Sequence, residues 1–157
     1  MNHTLHIGLA VATLTLAACQ SDVCHITVED TTRNSPTYTT QHTPDSVRLC
    51  RLPDTDVLYF NEPGNVYIEL SPQEGQSRVS GTRLNNEWQA LNDTVAKYDQ
   101  QLRQILGPEG DSLNPRIIHR QVSQIYETLN QRINETALRN RDNALGRYIV
   151  THFAPGK

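Results

Sequence analysis

The chain has few aromatic residues, few cysteines and no apolar run long enough to cross a membrane. Aromatic side chains make up 6 % of its 157 residues, so they can fill only a modest hydrophobic core. The apolar run at residues 7–16 has about half of the roughly 20 residues that a transmembrane helix needs. No phosphate-binding loop, metal-binding helix motif or nucleic-acid fingerprint is present. We therefore predict no transmembrane helix, no cofactor, no nucleic-acid partner and no small-molecule substrate.

The apolar run instead has the length of a signal-peptide core and ends in Leu16-Ala17-Ala18-Cys19. This ending resembles the lipobox of bacterial lipoproteins, in which the cysteine is lipidated after the preceding peptide is removed. The resemblance implies a signal peptide at residues 1–18 and a lipid on Cys19. Because no Asp follows Cys19 directly, it also implies the periplasmic side of the outer membrane. The alternatives are an ordinary secretory signal and a buried core helix.

The two remaining cysteines, Cys24 and Cys50, form an even pair in a chain addressed to an oxidising compartment. This count predicts a disulfide, which would constrain the unfolded chain by about 3 kcal/mol on the loop-entropy model. The alternative is a metal site made of Cys24, His25, His42 and Cys50, but this spacing matches no familiar zinc pattern. We therefore predict the disulfide and no metal.

Charge is distributed unevenly along the chain. Residues 20–114 hold fourteen acidic and seven basic residues, whereas residues 115–157 hold three acidic and seven basic residues. The basic segment can face an acidic partner or anionic lipid, or it can pack against the acidic half of its own chain. We favour packing within the chain.

The first half of the mature chain is predicted to form short strands. Period-two alternation predicts strands at residues 23–29 and 47–52, with a loop at residues 30–44 between them. The second of these strands would deliver Cys50 beside the first. Residues 56–60 and 65–70 are rich in β-branched and aromatic residues and flank Asn61-Glu62-Pro63-Gly64, which predicts a hairpin. A further short edge is expected at residues 78–82.

The second half changes to a helical period. Apolar residues recur at gaps of four and three from Leu84 to Ile105, with Asn86 as the expected N-cap and Gly107-Pro108 as the stop. Asn114 and Pro115 predict the start of a second helix that continues to about residue 148. Two long helices joined by a short link favour an antiparallel hairpin. Residues 148–153 are rich in β-branched and apolar side chains, and we expect them to form either a strand or a frayed helical end.

The predicted fold class is therefore α+β, a small antiparallel β unit followed by an antiparallel helical hairpin. One periplasmic domain is expected over residues 19–157, with β structure at residues 20–82 and helices at residues 84–148.

One segment resembles a loop of known function. Ser80-Gly81-Thr82-Arg83-Leu84 is similar to the Ser-Gly-x-Arg/Lys-Tyr loop of the membrane-bound C-type lysozyme inhibitors, which are small β-rich lipoproteins with a disulfide. The resemblance implies that Ser80 and the basic residue Arg83 would contact the active site of lysozyme. Leu84 stands where that family has an aromatic residue, and a helical pattern follows where it has strands.

A second short match points to an enzyme family. Gly110-Asp111-Ser112-Leu113 copies the nucleophile motif of the GDSL esterases. Here the motif lies in a predicted helix–helix loop, and the family's downstream Gly, Asn and Asp-x-x-His blocks are missing. We therefore interpret it as a turn and predict that the protein is not an enzyme.

The helical seam has two interpretations. Trp88 and Tyr98 are expected to pack against Ile125, Leu129 and Ile133, since such seams are usually core. Alternatively, a shallow β unit leaves the stripe around Trp88 open to a partner, as in pilotin-like lipoproteins. We predict a lipid-anchored, non-enzymatic binding or assembly module with an envelope protein as partner, and we name Ser80, Arg83 and Trp88 as candidate interaction residues. The lysozyme inhibitor is the alternative.

Overall fold

Six strands precede three helices in a computed structural model that describes residues 22–30, 38–73, 75–108 and 114–153. The strands are β1 (Cys24–Asp30), β2 (Tyr38–His42), β3 (Leu49–Arg51), β4 (Leu58–Phe60), β5 (Gly64–Leu70) and β6 (Arg78–Ser80). The helices are α1 (Arg83–Leu106), α2 (Pro115–Arg139) and α3 (Ala144–His152). The predicted α+β class is confirmed. No helix among these described residues is long and apolar enough to span a membrane.

The main sheet is mixed, with strand order β2-β1-β5-β6. β1 pairs with β5 in parallel, whereas the β1–β2 and β5–β6 pairs are antiparallel. The predicted hairpin of residues 56–60 with 65–70 is therefore wrong, because β4 and β5 belong to different sheets. The loop predicted at residues 30–44 also contains a strand, β2, whose polar residues gave no apolar period.

A two-stranded ribbon of β3 and β4 lies beside the main sheet, with Cys50 opposite Tyr59. The expected pairing of the Cys50 strand with β1 is thus wrong. Alternate residues of β1 and β5 nevertheless point towards the ribbon, and the two layers share one core. This core contains Cys24, Ile26, Val28, Leu52, Tyr59, Val66, Ile68 and Val79.

A second core joins the ribbon to the helices. Phe60 is fully buried there, and Trp88 packs edge-on to both Phe60 and Tyr148. Its other buried members come from all three helices: Leu84, Leu91, Ile133, Leu145 and Ile149. The seam around Trp88 is therefore core, as the first interpretation expected.

The start of α1 differs from the sequence-based expectation. Its N-cap is Thr82, and Asn86 instead accepts a hydrogen bond from the Gly81 backbone N–H at 3.0 Å. A Glu62 carboxylate oxygen accepts from the Leu84 N–H at 2.8 Å and satisfies one of the unpaired donors of the first turn. At α2 the expectation is confirmed, since Asn114 caps the helix and Pro115 is its first residue.

The second predicted helix is two helices, α2 and α3, separated at residues 140–143. Asn140 is fully buried and donates from its amide to the Thr136 carbonyl and to the Glu87 carboxylate. Asn143 then caps α3 through the N–H groups of Leu145 and Gly146. Residues 148–152 continue α3, so the expected C-terminal strand is wrong and the helical alternative holds.

Candidate functional site

The three candidate interaction residues lie in three different environments. Ser80 is exposed at the end of β6, opposite Tyr67, where both line a shallow pocket of about 420 Å³. Arg83 forms an ion pair with Glu87 at 2.9 Å and donates to the Asn140 side chain at 3.3 Å. Trp88 is only 5 % exposed, and its indole N–H donates to the Leu58 carbonyl at 3.1 Å. The structure does not gather them on one surface.

The segment that resembles the lysozyme-inhibitor loop is held in place by contacts with the helices. Thr82 is buried at the N-cap position of α1, and Arg83 contacts Glu87 and Asn140. No observation in the described structure adds to the resemblance. Lysozyme inhibition stays a prediction, which an activity assay of lysozyme with the full chain tests.

The two core cysteines lie in one cluster as free thiols. Cys24 is fully buried, and Cys50 is half-buried. Burial raises the pKa of the Cys24 thiol, and the nearby Cys50 and Glu62 raise it further. Cys19 and the segment at residues 110–113 lie outside the described residues. Among the residues that are described, no group of three or more His, Cys, Asp or Glu side chains is arranged to hold a metal ion.

A larger concave surface than the pocket beside Ser80 lies where the β3–β4 turn, the β5–β6 loop and α1 meet. It has a volume of about 770 Å³. Its apolar part comes from all three segments and consists of Val57, Leu58, Leu70, Val79, Trp88 and Ala96. We call this surface the acid-rimmed groove, because four aspartates also line it: Asp30, Asp54, Asp56 and Asp93.

The charge of the groove has one sign. None of its described lining residues is Lys or Arg. Asp56 pairs with Arg51 at 3.0 Å, and Asp93 pairs with Arg78 at 2.8 Å, so both charges are partly compensated from outside the lining. Asp30 also makes an interaction of its own. Both ion pairs are solvent-exposed, and exposed ion pairs contribute little to the free energy of unfolding. Asp54 is the remaining aspartate of the rim.

Asp54 occupies an unusual backbone conformation at this rim. Its φ is 59°, in the left-handed region that favours Gly or Asn. Pro53 precedes it, and the Thr55 N–H returns to the Leu52 carbonyl at 3.2 Å, which closes the turn around Asp54. The Asp54 carboxylate makes no hydrogen bond or ion pair with any residue that the structure describes. A fixed, uncompensated carboxylate therefore stands at the groove edge.

Sequence reasoning missed this groove because its walls come from segments far apart in the chain. Residues 53–58, 70–79 and 88–96 meet only after the ribbon and α1 have packed together. Trp88 is the one groove residue that the sequence singled out. The Pro53-Asp54 pair is a turn signal, but nothing local connects this turn to α1.

Comparison with protein families, with curated proteins and with solved structures found no match for this chain. Function must therefore be inferred from the residues and their arrangement.

Proposed function

We propose that this protein is a lipoprotein of the cell envelope, anchored through Cys19, that binds a segment of another envelope protein in the acid-rimmed groove. It acts as a binding or assembly module and not as an enzyme. The signal-like run ending at Cys19 supports the anchor. The groove itself carries the binding part of the proposal.

The size of the groove supports binding. Ligand sites are concave, mostly apolar surfaces of roughly 300–1,000 Å³ with a few placed polar groups. The acid-rimmed groove, at about 770 Å³, lies within this range. Its polar groups include the Asn92 side chain of α1, which lines the same space as its apolar residues. Such a mixture suits a peptide segment, whose backbone needs polar partners and whose side chains need apolar ones.

The position of the groove along β1 also suits a membrane-anchored binder. Cys24 at the start of β1 follows Cys19 by five positions, so the two Cα atoms are at most about 18 Å apart. β1 then runs from Cys24 to Asp30, about 20 Å further along the strand. Asp30 lines the groove, so the groove lies at the end of β1 that is remote from the anchor. A lipid on Cys19 would thus leave it open to the periplasm.

Photo-crosslinking of the full chain in cells tests the proposal. A benzophenone amino acid at Ala96, which lines the groove on an exposed part of α1, should form an adduct with one envelope protein that mass spectrometry identifies. The matched control is Ala90, also exposed on α1 but lining the shallow pocket beside Ser80. Equal adducts at both positions, or none at Ala96, would contradict the proposal.

A further inference from the structure

The two edges of the main sheet differ in how their backbone groups are satisfied. At the β6 edge, the Val79 N–H donates to the Gln89 side-chain oxygen at 2.7 Å, and the Gly81 N–H donates to the Asn86 side-chain oxygen at 3.0 Å. Helix α1 therefore closes this edge. β2 forms the opposite edge and pairs with β1 alone. No residue that the structure describes makes a backbone hydrogen bond to the outer side of β2.

β2 also lacks the features that usually keep an edge strand from pairing. Natural edges are protected by charged side chains, proline, a bulge or a very short strand. β2 has five residues, Tyr38–His42, in an unbroken register with β1, and none of them is Lys, Arg, Asp, Glu or Pro. Alternate residues of an antiparallel strand direct their N–H and C=O groups away from the partner strand. This edge can therefore accept a further strand.

We infer that β2 pairs with β2 of a second copy of the chain, antiparallel and centred on Thr40. A two-fold axis brings the same surface together from both copies, so the residues meet in reversed order. The cross-strand pairs are Thr40 with Thr40, Thr39 with Gln41, and Tyr38 with His42. Threonine and aromatic pairs are favourable at such positions, and no like charges face each other. The two four-stranded sheets then form one continuous sheet.

A second copy suits this edge better than a strand of another protein. Sites that add a foreign strand select it through pockets for alternate side chains. Of the residues of β2, only Tyr38 lines either of the two concave surfaces described above. The β2 sequence itself, by contrast, offers an acceptable partner at every position of the antiparallel register.

The pairing goes beyond the proposed function and does not depend on it. The acid-rimmed groove and the lipid on Cys19 are not needed for two β2 strands to meet. The pairing is nevertheless compatible with the anchor. When the two-fold axis is normal to the membrane, Cys24 at the start of β1 lies at the same height in both copies, so both lipids can reach one membrane.

Cysteine crosslinking of the full chain in cells tests the pairing and its register. Two cysteines form a disulfide when their Cα atoms are about 4.4–6.8 Å apart, which holds for directly opposed residues. Thr40→Cys should therefore give a covalent dimer on a non-reducing gel after mild oxidation. Ser80→Cys is the matched control on the β6 edge and should give none.

The register predicts a second crosslink. Thr39→Cys and Gln41→Cys, co-expressed with different tags, should crosslink to each other about fivefold or more above either variant alone, because each lies diagonally from its own copy at about 7–8 Å. Equal yields would contradict the register centred on Thr40.

Charge substitution at Thr40 adds no thiol and gives an independent test. Thr40→Lys or Thr40→Glu places like charges opposite each other and should lower energy transfer between donor- and acceptor-tagged full chains about threefold or more. A mixture of the two variants should restore it. Thr128→Lys, on the exposed face of α2, is the control and should change nothing. Melting temperatures should not fall, since Thr40 is exposed.

Several results would overturn the inference. These are no dimer from Thr40→Cys, an equal dimer from Ser80→Cys, or a Lys–Glu mixture that transfers no more energy than the Thr40→Lys variant alone. A Thr40→Cys adduct with a different protein would assign this edge to a strand of that protein and overturn the inference as well. The crosslink at Ala96 reports on the groove, so the two proposals fail separately.

Discussion

The buried side-chain amide of Asn85 makes hydrogen bonds with the Phe60 backbone that a neighbouring strand would otherwise make. It accepts from the Phe60 N–H at 2.7 Å, donates to the Phe60 carbonyl at 2.8 Å, and also donates to the Thr82 hydroxyl at 2.8 Å. The Asn85 side chain is fully buried, so water cannot replace it. It thereby fixes the end of β4 against the first turn of α1.

Replacing Asn85 by Ala should therefore be strongly destabilising. The variant leaves two buried backbone groups of Phe60 unpaired, at about 1–3 kcal/mol for each, so we expect a loss of about 2–5 kcal/mol in urea unfolding. Asn130→Ala, on the exposed face of α2, should change stability by less than about 0.5 kcal/mol. A loss below about 1 kcal/mol for Asn85→Ala would contradict the strand-like role.

Cys24 and Cys50 share the sheet–ribbon core, and we predict that they are bonded in the exported protein. Denaturation without reductant, followed by alkylation, should leave both cysteines unmodified. Two alkylated thiols would contradict the prediction. In the reduced protein, iodoacetamide should modify Cys50 before Cys24, because Cys24 is fully buried and burial raises the pKa of its thiol, which keeps it protonated at neutral pH.

At the scale of elements, the corner between α2 and α3 depends on Gly146. A Cβ atom at this position would lie 2.1 Å from the Asn140 backbone oxygen, far inside contact distance. Gly146→Ala should force the corner apart and cost about 1–3 kcal/mol of stability, measured by thermal unfolding. Val150→Ala on the exposed side of α3 is the control and should be nearly neutral. Equal melting temperatures for the two variants would show that the corner adjusts freely.

The Trp88 side chain of α1 packs against both the ribbon and α3. Its ring lies 6.3 Å from that of Phe60 and 5.2 Å from that of Tyr148, edge-on to both. Trp88→Ala should cost about 3–5 kcal/mol, because transfer energy is lost and a cavity remains. Tyr126→Ala, half-exposed on α2, should cost much less. An unchanged melting temperature for Trp88→Ala would return Trp88 to the role of a docking residue.

At the scale of the whole molecule, ion pairs form within the acidic part of the chain, residues 20–114, and within the basic part, residues 115–157. The pairs Arg51–Asp56 and Arg78–Asp93 lie within the acidic half, and Arg132–Glu135 and Arg141–Asp142 lie within the basic half. The contact between the halves is instead made by the second core and by the hydrogen bonds of Asn140 with Glu87 and Arg83. Each of these four ion pairs therefore stays within one half of the chain.

Membrane attachment is also a property of the whole molecule. We predict that mass spectrometry of the mature protein finds an N-terminal fragment beginning at lipid-modified Cys19, because residues 7–19 follow the signal and lipobox pattern. Cys19→Ser should abolish the lipid and release the domain from membranes, while Asn2→Ser changes neither. An unmodified mature chain that begins elsewhere would contradict the anchor.

Some features of the fold depend only on neighbouring residues and could be predicted from the sequence. The α+β class, the seam of α1, the Asn114-Pro115 start of α2 and the strand after residue 23 all follow from local period and capping. The pairing of the strands depends instead on tertiary packing. The runs at residues 56–60 and 65–70 suit a hairpin locally, but β5 buries both of its edges by pairing with β1 and β6, and β4 pairs with β3. The break at Asn140 and the acid-rimmed groove have the same origin, because each depends on residues distant in the chain that meet only when the cores form.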